Sequence, residues 1–155
     1  MRCPVCKSAM IVLEVQEIEI DHCLDCGGVW LDGGELELLL ENAAARDALL
    51  ASFAGDPEST ERRRKCPICS RSMEKVTCGT DCPVLLDRCV DNDGIWFDKG
   101  ELYELMRMGE FPGENRVFTI LNDIFGKTDD SDVPRESSAQ SVPKRKDGPE
   151  RRRES

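Results

Sequence analysis

The chain is expected to fold as a small α+β protein. It would contain two tandem copies of one unit, a β-hairpin with metal knuckles followed by a helix, plus an additional C-terminal helix and a disordered tail. Three observations predict this. CPVC at 3–6 is followed by HCLDCGGVWLDGGEL at 22–36, and CPIC at 66–69 by RCVDNDGIWFDKGEL at 88–102. Aligned on their tryptophans with an offset of 66, Ile20–Leu39 and Leu86–Leu105 are identical at 10 of 20 positions, so the second stretch repeats the first. Units of ~40 residues are too small to rest on burial alone and usually need a disulfide, a metal or a partner. Nine cysteines can supply such a staple.

In the first unit, residues 1–54, Met10–Val15 and Glu17–Asp21 alternate as short half-buried strands do. Their hairpin would bring Cys3 and Cys6 opposite Cys23 and Cys26, closing a tetrahedral four-thiolate zinc site with zinc–sulfur distances near ~2.3 Å. Paired C-x2-C knuckles without an export signal favour zinc over disulfides. Asp32-Gly-Gly-Glu35 reads as a capping box, with a helix after it running to about Phe53 until Gly55 and Pro57 stop it. A linker, 55–64, follows.

The second unit, with the last predicted helix, spans 65–126. Its knuckles stand three residues further apart, because Cys66 and Cys69 match Cys3 and Cys6 with an offset of 63 while Cys89 matches Cys23 with 66. The insertion falls where the hairpin turns. Asp98-Lys-Gly-Glu101 repeats the capping box, and its helix should end near Gly109. Val117, Ile120, Leu121, Ile124 and Phe125 then fall at helical spacing and predict a third helix closed by Gly126, packed on the second unit or open to a partner. Residues 127–155 contain no Leu, Ile, Phe, Tyr or Trp, so they cannot offset their ordering entropy and are expected to be disordered.

CPVC, the hairpin and DHCLDCGGVWLDGGEL together resemble the small transcription-factor-IIB-type zinc ribbon, over about residues 1–42 and again 64–106. The resemblance implies a zinc-ribbon fold and zinc binding through Cys3, Cys6, Cys23 and Cys26; it implies little about the biological process. The second copy departs from the pattern at its fourth ligand. Cys66, Cys69 and Cys89 remain, but similar second copies often place histidine directly before the glycine, where this chain has Asp93. Asp93 is the preferred fourth ligand, since carboxylates bind zinc at ~2.0–2.2 Å. An empty or water-completed site is the alternative, and the register-matched Asn92 offers only a neutral amide oxygen. A second zinc is therefore expected on weaker ligands than the first.

Other residues invite functional readings that weigh less than plain ones. Cys78 and Cys82 flank the presumed hairpin tip, far from the metal, and are expected to be free thiols rather than a disulfide or redox pair. His22 reads as a solvent-facing strand residue, because the first site is already complete. Trp30 and Trp96 read as packing against the knuckles rather than as base-stacking platforms. The basic runs 62–65, 144–146 and 151–153 read as solubilising charge.

Net charge is −10, with −7 on residues 1–54 and −5 on 66–126, so nucleic-acid binding is disfavoured. No nucleophile–base–orienter set or phosphate loop is visible, and no enzyme activity is expected. The function read from these features is a zinc-binding, non-catalytic protein-interaction or regulatory adaptor with an unidentified protein partner. The alternatives are transcription-related nucleic-acid binding and redox or zinc-responsive regulation through the incomplete second site. MRCPVCK lacks an apolar leader core and no long apolar run follows, so a cytoplasmic protein without membrane association is expected.

Overall fold

The computed structural model describes residues 1–40, 42–79, 83–108, 119–120 and 123. Alternation builds the first hairpin as expected: β1 (Ile11–Val15) pairs antiparallel with β2 (Ile18–His22), with Leu13 opposite Ile20. Gln16 and Glu17 both take positive φ, 50° and 67°, the conformation that a two-residue turn needs to match strand twist. β3 (Val29–Asp32) returns along β2. In the second half, β5 (Glu74–Cys78), β6 (Val84–Arg88) and β7 (Gly94–Phe97) repeat this order, with the inserted residues between β5 and β6.

The halves are joined edge to edge. β3 pairs antiparallel with β7, matching Val29 with Phe97, Trp30 with Trp96, Leu31 with Ile95 and Asp32 with Gly94. One seven-stranded antiparallel sheet results, in the order β1-β2-β3-β7-β6-β5-β4. Because side chains alternate across a strand, this sheet separates two apolar clusters. Leu31 and Phe97 join Ile20, Leu36, Leu39, Leu86, Leu102 and Leu105 under the helices, whereas Trp30 and Trp96 join Met10, Met73 and the cysteines on the other side.

The first predicted helix is broken. α1 covers only Glu35–Leu39, and α2 (Ala43–Ala51) starts afresh at Asn42, whose side chain accepts a hydrogen bond from the Ala45 N–H at 3.1 Å. An N-cap residue competes with helix continuation by offering its own carbonyl side chain to the backbone. After α2, Ala54 and Gly55 form β4, which pairs with Thr77 and Val76 on the outer edge of β5. The expected linker thus begins as a strand. α3 covers Glu101–Met108, and its predicted end near Gly109 lies outside the described residues.

The capping boxes form by half. Glu35 and Glu101 each accept the backbone N–H of the Asp three residues before, at 2.7 Å. The Asp32 and Asp98 carboxylates instead accept the indole N–H of Trp30 and Trp96, at 2.6 and 2.9 Å, and Gly34 is the residue that caps α1. Of the predicted third helix, Thr119, Ile120 and Asp123 are helical; its remaining residues and the tail 127–155 lie outside the described residues. No helix among the described residues is long and apolar enough to cross a membrane.

Candidate metal centres

Each metal knuckle is a tight backbone turn. In the first half, the Cys3 carbonyl accepts the Lys7 N–H at 3.1 Å and the Cys23 carbonyl accepts the Gly27 N–H at 2.8 Å, with Lys7 and Gly27 at φ 68° and 73°. The turns point the cysteines inward, and the hairpin brings the two turns together. Cys3, Cys6, Cys23 and Cys26 place their sulfurs all within 4.8 Å of one another. The Cys3–Cys26 and Cys6–Cys23 pairs are 3.5 and 3.4 Å apart. Tetrahedral thiolates at ~2.3 Å from a zinc ion would stand about 3.8 Å apart, so the cluster fits that ion. A disulfide at ~2.05 Å does not fit these separations.

The second half brings Cys66, Cys69, Cys89 and Asp93 within the same 4.8 Å limit. Asp93 Oδ2 stands 3.4 Å from Cys66 Sγ and 3.2 Å from Cys89 Sγ, and Cys69 lies 3.6 Å from Cys89. Sulfur and carboxylate oxygen sharing a tetrahedral zinc would be about 3.5 Å apart. The local backbone explains why Asp93, not Asn92, faces the thiols. Asn92 donates its N–H to the Cys89 carbonyl at 3.1 Å and takes φ 63°, closing the turn one residue earlier than Gly27 does in the first half. Asn tolerates that left-handed conformation better than most residues, and the shortened turn delivers the next side chain to the site.

Backbone amides point at the sulfurs as thiolates require. Val5 N–H donates to Cys3 Sγ at 3.3 Å, Ile68 N–H to Cys66 Sγ at 3.4 Å and Asp91 N–H to Cys89 Sγ at 3.4 Å. Burial, with a lesser push from the neighbouring cysteines, opposes ionisation and moves Cys26 and Cys66 up to about 12. Cys6 moves the other way, to about 6, because the Ser8 hydroxyl and backbone hydrogen-bond to it. Hydrogen bonds from Cys69 and Cys89 hold Asp93 below the usual carboxylate range. Only a cation among the sulfurs supplies the field that ionises buried thiols together.

Between the two clusters the tryptophans are fully buried, each seated on the opposite half. A Cβ added to Gly28 would lie 2.1 Å from Trp96 Cζ2, and one added to Gly94 would lie 2.7 Å from Trp30 Cζ2 and 2.2 Å from the Leu31 carbonyl. The expected knuckle packing holds, but it crosses from one half to the other. Of the remaining singled-out residues, His22 joins neither cluster and is half-buried rather than solvent-facing, with burial lowering its pKa. Cys78 is buried against the Leu49 carbonyl at 3.8 Å and Ser52 Oγ at 3.6 Å, and burial raises its pKa, whereas Cys82 lies outside the described residues.

A buried ion cluster beneath the second site escaped sequence reasoning. Lys75 and Asp87, each 2% exposed, stand 3.2 Å apart, and Asp87 also meets Arg64 at 3.0 Å. Burial pulls the Lys75 pKa down, but Glu61 and Asp87 outweigh it and raise it. The available signal was the Asp21/Asp87 identity at an inward strand position; Val12 stands where the first half would need the lysine.

Four convergent thiols at the open end of a β-hairpin, and a second cluster of three thiols and a carboxylate on the same sheet, are two sites able to hold zinc. Residues 2–42 match the family model of the transcription-factor-IIB-type zinc ribbon, described as a transcription factor zinc-finger. No curated protein and no solved structure matches the chain.

Proposed function

We propose that the chain is a non-catalytic, zinc-dependent protein-interaction module in which two zinc ribbons, related by duplication, are fused back to back. The closed four-thiolate set of Cys3, Cys6, Cys23 and Cys26 carries this reading. Full thiolate ligation leaves no open position for water or substrate, which is the mark of structural rather than catalytic zinc. Each knuckle also exposes an aliphatic residue, Val5, Leu24, Ile68 or Val90, as surfaces that meet other proteins do. Nucleic-acid binding draws less support, because both tryptophans are buried and unavailable for stacking.

Zinc-responsive regulation is the second reading, favoured by Asp93 standing where the first site has a thiolate. A carboxylate is the harder and less favoured ligand beside thiolates. Cys78 adds little to it, since reactive thiols are exposed and of lowered pKa.

Elemental analysis is expected to find two zinc ions per chain, falling to one in Asp93→Ala; one zinc in both proteins would make the second site vestigial. Immobilised zinc-loaded chain should capture a defined protein partner that the Cys3→Ser/Cys23→Ser variant does not. Capture that ignores zinc would refute the module.

A further inference from the structure

Among the described residues, four cations without a carboxylate partner line one cleft of a chain whose net charge is −10. The cleft, about 690 Å³, lies between the first knuckle and residues 61–65, and Val5, Lys7, Arg62, Arg63, Lys65 and Ser72 contribute to its walls. Glu61 and Asp98 also line it; with buried Asp87 they share two cations, Glu61 meeting Lys75 at 2.8 Å, Asp98 meeting Arg64 at 2.5 Å, and Asp87 meeting both. Among the described residues no carboxylate pairs with Lys7, Arg62, Arg63 or Lys65; Lys7 Nζ donates only to the Pro4 carbonyl, at 2.9 Å. The cleft lining therefore holds five cations against two carboxylates, a net +3 on a chain of net charge −10.

Its construction argues against plain solubilising charge. Glu61 is tied to buried Lys75, and Arg64 to buried Asp87, so the backbone on both sides of Arg62 and Arg63 is anchored. Cations held this way lose less freedom on binding than cations on a loose segment. The adjoining wall is apolar, with Val5 40% exposed beside Pro4.

We propose that this cleft seats an acidic linear segment of a partner protein, its carboxylates on Arg62, Arg63, Lys65 and Lys7 and an aliphatic side chain on Val5; the proposal rests on the interaction-module reading. Arginine forks suit carboxylates by paired hydrogen bonds. A short peptide fits within the cleft, whereas a nucleic-acid strand would run on across lobes of charge −7 and −5, with both tryptophans buried and unavailable for stacking.

The test uses the zinc-loaded full chain and fluorescence anisotropy. Its probes are a short peptide alternating Asp and Glu around one Leu, the Asn/Gln counterpart, and a single-stranded oligothymidylate of equal length. The acidic peptide should bind and the neutral one should not. Arg62→Glu/Arg63→Glu should weaken binding by about tenfold or more, with zinc content and tryptophan fluorescence unchanged. Equal binding by that variant, no binding of the acidic peptide, or tighter binding of the oligonucleotide in competition with it would each overturn the proposal. If zinc-dependent partner capture persists while the peptide fails, only the cleft assignment falls; if zinc-dependent capture itself is absent, the module reading falls.

Discussion

Gly28 and Gly94 owe their identity to the opposite half of the molecule rather than to their own turns. Neither has a positive φ, yet each leaves the space that a buried indole fills. Overpacking a core position usually costs about 1–3 kcal/mol, and a Cβ at 2.1 Å from a fully buried ring belongs at the upper end. Gly28→Ala is therefore expected to lose about 3 kcal/mol in chemical denaturation, whereas Gly55→Ala, with nothing within 4 Å, should be near neutral. Similar losses in both would disprove the interlocking. Glu101 offers a titratable counterpart. Burial raises its pKa to about 7 from 4.5, helped by Asp98 and Asp87 and opposed by the Asp98 backbone hydrogen bond and by Lys75. The folded state thus holds this proton more tightly than the unfolded chain does, so the contribution is whole below pH 4.5 and is lost as pH rises through about 7. Relative to Glu101→Gln, the wild type should lose stability across that window; parallel stability–pH curves for the two proteins would contradict the shift.

At the scale of elements, the break between α1 and α2 rests on Asn42. Removing an Asn N-cap costs about 1 kcal/mol, so Asn42→Ala should lower the unfolding free energy measured by denaturation by that amount while leaving zinc content unchanged. A gain in helicity and stability would mean that Asn42 interrupts a helix instead of starting one. The break was not read from the sequence, because the apolar residues Leu36, Leu39, Leu40, Ala43 and Leu50 run on through Asn42 at helical spacing. The first hairpin was legible from its two-residue alternation, and the second from the repeat of the knuckle pattern rather than from alternation, since β5 and β6 have no exposed face. β3 and β7 were not, because Val29-Trp30-Leu31 and Ile95-Trp96-Phe97 are continuous apolar runs buried on both faces, and such runs carry no alternation to read. The site was legible through thiol spacing. Asp93 could be chosen over Asn92 by ligand chemistry, but the reason it reaches the site, the early turn at Asn92, is a backbone property that spacing does not encode. Arg64 was read with the run 62–65 as solubilising charge and Lys75 was not singled out, because nothing local marks a charge that is matched by a strand from another part of the chain.

The described sheet has the strand register of a dimer written in one chain. Subtracting the 66-residue offset converts the β3–β7 register into residues of the first half alone: Trp30 faces itself, and Val29 faces Leu31. A register that maps onto itself in this way is what an isologous twofold interface requires. The Gly28–Trp96 and Gly94–Trp30 contacts are likewise exchanged by the same operation. The exception is the crossover α2–β4, which leaves the first half to cover the β5 edge, placing Ser52 on Cys78. A fragment ending at residue 42 therefore omits the crossover and keeps every element of the first ribbon. On its own it would leave the β3 edge open and expose Trp30, now fully buried, which a unit of ~40 residues can ill tolerate. Zinc-loaded residues 1–42 are accordingly expected to form a homodimer through β3, with Trp30 against its own copy. Sedimentation or light scattering should give twice the fragment mass with a single tryptophan environment, and Gly28→Val should dissociate the dimer by filling the seat of the partner's indole. A stable, zinc-loaded monomer would show that the first ribbon does not need its second half, and the pairing of β3 with β7 would then be a consequence of tethering rather than a condition of folding.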